Sequence, residues 1–200
     1  MPPRPMHAAS EIKQAIESLL FVAEDPLSKE QLVSLLKDSE IDVDSGRLPQ
    51  EVEAALASLH VDCAQRAYEL VEVGSGYRFQ VRSEHNKWVA RLLLHRPRRY
   101  SRALLETLAL IAYRQPITRG EIEQVRGVAV STQTMRTLLD RGWVRELGVK
   151  DLPGRPMMYG TTSTFLDYFS LRSLEELPPL RDIAESGSGA MNDEVVTDRD

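Results

Sequence analysis

Pro26-Leu27-Ser28-Lys29-Glu30-Gln31-Leu32 returns 90 residues later as Pro116-Ile117-Thr118-Arg119-Gly120-Glu121-Ile122. Each copy sets a hydroxyl residue, Ser28 or Thr118, three positions before Gln31 or Glu121. That spacing predicts a capping box: the hydroxyl accepts from a free amide of the helix start, and the longer side chain accepts from the N-cap amide. Leu27 with Leu32, and Ile117 with Ile122, flank the cap at the spacing of a hydrophobic staple. The prolines disfavour helix at Asp25 and Gln115, so an earlier helix ends there in each copy.

That earlier helix is written into both copies. Ile12, Ala15, Ile16, Leu19, Leu20 and Ala23 form one stripe at helical spacing, and Leu104, Leu105, Leu108, Ile111 and Ala112 form the other. Val52, Leu56, Leu59 and Cys63 predict a third helix in the first copy. In the second copy the third helix is shorter, from Ser131 as N-cap through Met135, Leu138 and Leu139 to a stop at Gly142. The period then changes. Tyr68–Val73 and Tyr77–Val81 read as two strands across Gly74-Ser75-Gly76, and Trp143–Leu147 with Met157–Thr161 repeat the hairpin around Asp151–Pro156.

Three helices followed by a hairpin is the order of a winged helix, and the chain carries it twice. The expected fold class is mainly α with small β wings (α+β), as two tandem winged-helix domains. A further helix from Glu84 to Leu94 leads into His95-Arg96-Pro97-Arg98-Arg99-Tyr100-Ser101, where Pro97 and the charges mark a boundary and Ser101 caps the next helix. Thr162 or Ser163 starts a Phe165, Leu166, Phe169 helix, and Ser173–Glu176 forms another capping box before Pro178 and Pro179. The resulting division is a flexible N-terminus (1–10), an N-terminal domain (11–94), a basic linker (95–101), a C-terminal domain (102–180) and a disordered acidic tail (181–200).

Composition agrees with globular domains. The 200 residues are 42% hydrophobic and 28% charged, which excludes a wholly disordered or collagen-like chain. No apolar run approaches the ~20 residues of a membrane-spanning helix. The first residues lack the apolar core of a secretory signal, and the single cysteine, Cys63, reads as a core residue of a reducing compartment, so a cytoplasmic location is expected. Charge is unevenly spread: residues 1–86 hold 8 Lys+Arg against 15 Asp+Glu, net -7, residues 87–180 hold 15 against 9, net +6, and residues 181–200 hold 2 against 6, net -4. A basic second half suits an acidic protein segment or a polyanion, while an acidic first half repels nucleic acid.

Catalytic chemistry is not indicated. His7, His60, His85 and His95 are scattered, with none at the i, i+4 spacing of a helical zinc pair. Phosphate-cradling glycine loops, a Gly-x-Ser-x-Gly elbow and a dinucleotide fingerprint do not occur in the sequence. The carboxylate pairs Glu121/Glu123 and Glu175/Glu176 do not share a helix face. No enzyme, cofactor or metal site is expected. Base reading through Thr132, Gln133, Thr134, Arg136 and Arg141 is the alternative, a winged-helix transcription regulator. The first copy suits DNA poorly, because Glu51, Glu53 and Asp62 lie on its third helix. Residues 87–105 contain no acid, so weak non-specific DNA contact through Lys87, Arg91, Arg96, Arg98, Arg99 and Arg102 is a further option. Aromatic and arginine side chains are the usual interface anchors, which selects Tyr113, Arg114, Trp143, Arg155 and Tyr159 as partner-contact candidates. Arg155 follows Gly154 in a proline-bound wing turn that would present it outward.

The run Leu104–Gly127, followed by Leu138-Leu-Asp-Arg-Gly142, Pro153-Gly-Arg-Pro156 and Tyr159-Gly-Thr-Thr162, closely resembles the segregation and condensation protein B family. Ile16–Glu24 and Ser173–Leu180 do so as well, and the likeness spans about residues 11 to 180. The resemblance implies a bacterial, non-enzymatic subunit that dimerises chiefly through its first domain. It implies binding to the kleisin, segregation and condensation protein A, which bridges the heads of an SMC ATPase on the nucleoid. The kleisin would meet the second domain near the five candidates named above. Departures from the family pattern are an insertion around Ile41 to Leu48 and the acidic tail.

Overall fold

The computed structural model describes residues 5–37, 44–92 and 100–179, with side chains from residue 9 onward. Two compact units divide the chain, Met1–Leu94 and His95–Asp200. Each closes its own core.

In the first unit, α1 (Pro5–Val22), α2 (Lys29–Lys37) and α3 (Leu48–Asp62) precede a hairpin of β1 (Tyr68–Val73) and β2 (Gly76–Val81). The stripe Ile12, Ile16 and Leu20 is buried against Leu32 and Leu36 of α2 and Val52, Leu56 and Leu59 of α3. Each such fully buried aliphatic side chain contributes about 1.5–3 kcal/mol. The capping box forms: the Gln31 amide donates to Ser28 Oγ at 3.2 Å, and the Ser28 amide donates to Gln31 Oε1 at 2.8 Å. Leu27 then bridges to Tyr77, each amide donating to the other's carbonyl at 2.9 Å. Gly76 makes that approach possible, since a β-carbon there would lie 2.3 Å from the Leu27 carbonyl.

In the second unit, α5 (Arg102–Arg114), a two-residue β3 (Ile117–Thr118), α6 (Arg119–Arg126) and α7 (Thr132–Asp140) precede β4 (Val144–Val149), β5 (Met157–Thr161) and α8 (Ser163–Tyr168). Ser101, Thr118, Ser131 and Thr162 each cap a helix through the side-chain oxygen. Leu104, Leu108, Ile111, Ile117, Ile122, Met135, Leu138 and Phe165 fill the core. The sheet is antiparallel in the order β3-β5-β4, with a bulge between Glu146 and Gly148. The fold is therefore mainly α with two small antiparallel sheets, a winged helix in each unit.

Four local expectations change. α1 begins at Pro5, within the stretch expected to be flexible, because proline is tolerated in a first helical turn where its missing amide is not needed. α3 begins at Leu48 with Pro49 in its first turn, so the expected insertion ends in helix, and its residues 41–43 lie outside the described residues. The helix predicted from Glu84 to Leu94 starts as a 3-10 turn at Ser83–His85 followed by α4 (Asn86–Leu92), a common tightening of a helix start, and Leu93 and Leu94 lie outside the described residues. Ser173–Glu176 is one 3-10 turn, Leu174–Glu176, capped by Ser173 Oγ on the Glu175 amide. Residues 95–99 of the basic linker and the acidic tail (181–200) lie outside the described residues.

Candidate partner-binding face of the second unit

Gln115 clamps the end of α5 to the sheet. Its Oε1 accepts from the Thr161 amide at 2.7 Å, while its Nε2 donates to Thr161 Oγ1 at 2.9 Å and to the Ala112 carbonyl at 3.3 Å. Gly160 leaves the space this needs: a β-carbon there would stand 2.6 Å from Gln115 Oε1. The Gln115–Pro116 peptide is cis. Beyond the clamp, Arg114, Pro116 and Ile117 line a groove of about 400 Å³ together with Glu121, Gln124 and Val125 of α6.

The wing is tied to the same helix. Lys150, at the end of β4, donates to Glu121 Oε1 at 2.5 Å, and its amide donates to the Pro156 carbonyl at 2.8 Å. The Lys150 hydrogen bond first, and then those from Thr118, push the Glu121 carboxyl down to about 2. Arg119 and Glu123 staple the α6–α7 connection: Arg119 donates to Glu123 at 3.1 Å, and the Val130 amide donates to the same Glu123 oxygen at 2.9 Å.

The five candidates separate by role. Arg114 is exposed at the groove and Arg155 is exposed in the wing turn at φ 42°, its amide held by the Leu152 carbonyl at 2.8 Å. Tyr159 is half-buried on β5, opposite Ile117 and Glu146, and burial first, then Glu146, raise its phenol while Arg119 opposes. Tyr113 is half-buried, and its hydroxyl donates to the Pro178 carbonyl at 2.5 Å, so it fastens the Leu174–Pro178 segment to α5. Trp143 is a correction. It is 1% exposed and stacks among Tyr100, Tyr168 and Phe169 at 5.2, 4.5 and 5.5 Å, so it supports the core and does not reach a partner.

Arg114, Arg145 and Arg155 are exposed and make no ion pair among the described residues, whereas Arg102, Arg119, Arg126, Arg136, Lys150 and Arg172 are each matched to an acid. β4 is an outer strand, exposed from Arg145 to Val149, and Leu147, Val149 and Leu152 add apolar surface beside those cations. The groove is not apparent from the sequence, while Leu147 and Val149, two residues apart on β4, are the signal for the strand edge. On α7, Arg136 is engaged with Asp140 at 3.5 Å, Thr134 with Ser131 at 2.8 Å, and Arg141 lies over Tyr100 at 4.6 Å. Thr132 and Gln133 remain exposed at its start, a thin set for reading bases. Among the described residues no group of three or more His, Cys, Asp or Glu could hold a metal, and no helix is long and apolar enough to cross a membrane.

The family model described as Segregation and condensation complex subunit ScpB matches residues 14–180. Segregation and condensation protein B homolog of Coxiella burnetii is 51% identical over 173 residues, covering 86% of this chain and 80% of that protein. Segregation and condensation protein B of Syntrophotalea carbinolica is 46% identical over 177 residues, covering 88% and 85%. A crystal structure of a dimer of the ScpB N-terminal domain complexed with ScpA peptide is 28% identical, covering 42% of this chain and 98% of that one, at a TM-score of 0.35. The sequence match runs through both winged helices and the clamp, groove and wing described above, and on that ground the chain belongs to the segregation and condensation complex subunit ScpB family.

Proposed function

We propose that this chain is a non-enzymatic subunit that forms a homodimer and binds the kleisin, segregation and condensation protein A. Through the kleisin it would join an SMC ATPase on the nucleoid and support chromosome condensation and partition. ATP hydrolysis then belongs to the SMC subunit. The observation that carries the reading is the family match over residues 14–180, which spans both units.

The second unit offers chemistry suited to a peptide. An apolar side chain of the kleisin would enter the groove beside Pro116, Ile117 and Val125, and its acids would meet Arg114 and Arg155, which have no acid to give up among the described residues. Tyr159 supplies an aromatic surface with a polar tip, as interface anchors commonly do. Tyr113 acts one step back, holding the segment that ends at Pro178, and Trp143 holds the core beneath.

Arg155→Ala with Tyr159→Ala, tested by titration calorimetry against the purified kleisin, should weaken binding at least tenfold, the effect of losing about 1.4 kcal/mol or more. The melting curve of the double variant checks that the unit stays folded. Affinity equal to wild type in a folded variant would overturn this placement of the kleisin.

A further inference from the structure

Two of the exposed apolar surfaces of the first unit, among the described residues, are flanked by charges of opposite sign. One is α4 (Asn86–Leu92), none of whose residues is buried. Trp88 is 57% exposed and Leu92 is 80% exposed, and at i, i+4 they share one face. Lys87 and Arg91 lie over the Trp88 ring at 5.1 and 5.3 Å and make no ion pair among the described residues. A helix of two turns with no buried side chain does not hold itself together in water; it needs a surface to lie on.

The other is an aromatic patch. Phe21, at the end of α1, sits 4.6 Å from Phe79 and 5.4 Å from Tyr68, and Tyr68 and Phe79 meet at 5.3 Å across the hairpin. Phe21 is 55% exposed and its neighbour Val22 is 83% exposed. Glu17 lies one turn before Phe21 on α1, and Glu24 and Asp25 follow the helix after Ala23. None of these three acids makes an ion pair among the described residues. The two surfaces therefore match: an apolar face rimmed by unpaired cations, and an apolar face rimmed by unpaired acids.

We infer that α4 of one copy docks on the Phe21/Tyr68/Phe79 patch of a second copy, and that the second copy's α4 returns the contact. This rests on the homodimer reading above and assigns the surface that makes it. A two-fold dimer contains any such contact twice, so both helices and both patches are covered in one closed assembly. Trp88 and Leu92 would lie against the rings, with Lys87 and Arg91 facing Glu17, Glu24 and Asp25 across the rim. Complementary charge of this kind fixes the register, and like charges in the same place are costly.

Reciprocity gives the test. One full-length variant carries Lys87→Glu and Arg91→Glu; another carries Glu17→Lys, Glu24→Lys and Asp25→Lys. Each alone sets like charges at both contacts of its dimer, and sedimentation equilibrium should show a dissociation constant raised at least tenfold over wild type. An equimolar mixture sets opposite charges at both contacts, so a heterodimer should form with near wild-type affinity. All substituted positions are exposed or partly exposed and outside the core, and circular dichroism of each variant checks the fold. Variants that stay as dimeric as wild type, or that dissociate and are not rescued by mixing, would overturn the docking while leaving the homodimer in place. A monomeric wild type across the concentration series would instead overturn the homodimer reading itself.

Discussion

Replacing Gly76 by Ala strikes the contact that joins the first hairpin to its helical turn. Gly76 sits at φ 147°, and a β-carbon built there lies 2.3 Å from both the carbonyl carbon and the carbonyl oxygen of Leu27. It also lies 2.6 Å from the Ser28 amide nitrogen. All three are backbone atoms, so no rotamer change relieves the clash and the Leu27–Tyr77 bridge must open. Opening it forfeits two hydrogen bonds of 2.9 Å, worth about 0.5–1.5 kcal/mol each. Holding alanine at a φ that suits glycine adds about 1–3 kcal/mol. The combined loss is about 2–6 kcal/mol, against a typical domain stability of about 5–15 kcal/mol. For a domain of this size the midpoint falls about 4–8 °C per kcal/mol, so a drop of at least about 8 °C is expected. Thermal unfolding of the full chain by circular dichroism reads it. A Gly76→Ala variant with an unchanged midpoint would refute the close-approach argument.

Gly160→Ala should cost less, about 1–3 kcal/mol, because its β-carbon meets the tips of Gln115 and Leu147, and the penalty is the Thr161 amide losing its acceptor; urea denaturation followed by Trp143 fluorescence measures it. Ile122→Ala empties a fully buried site and should cost about 2–5 kcal/mol, whereas the exposed neighbour Val125→Ala should stay within about 0.5 kcal/mol in the same assay. Glu121 has a carboxyl lowered to about 2, so its contribution is complete above the usual carboxylate range and is lost as pH falls from about 4.5 towards 2. Glu121→Gln should therefore be less stable than wild type at neutral pH, with the gap closing over that acid window in unfolding curves taken across pH. Both Glu121 and Lys150 are more than a third exposed, so raised salt should shrink the gap.

The helix starts were the most legible part of the sequence, because capping is a local device. Ser28 with Gln31 and Thr118 with Glu121 need neighbours only three residues away, and both boxes form with the predicted partners. The apolar stripes were equally plain, since Ile12, Ile16, Leu104, Leu108 and Ile111 repeat at the helical period and are all buried. Trp143 shows the limit. Its residue type suits an interface, but only the arrangement of Tyr100, Tyr168 and Phe169, brought in from distant positions, places it inside. Similarly, nothing local joins Gln115 to Thr161 or Glu121 to Lys150. Those pairs are 46 and 29 residues apart, and they exist only because β5 and the wing return to the helices. That Arg114 and Arg155 make no ion pair among the described residues was hidden for the same reason, because it depends on which acids other arginines claim.

We propose two partners for the paired winged helices, a kleisin and a second copy of the chain. Size-exclusion chromatography with light scattering, on the full chain alone and mixed with purified segregation and condensation protein A, tests this most directly. Twice the 22.6 kDa chain mass is expected alone, and a single heavier species, containing two copies of this chain, in the mixture. A particle of one chain mass that elutes separately from the kleisin would contradict it.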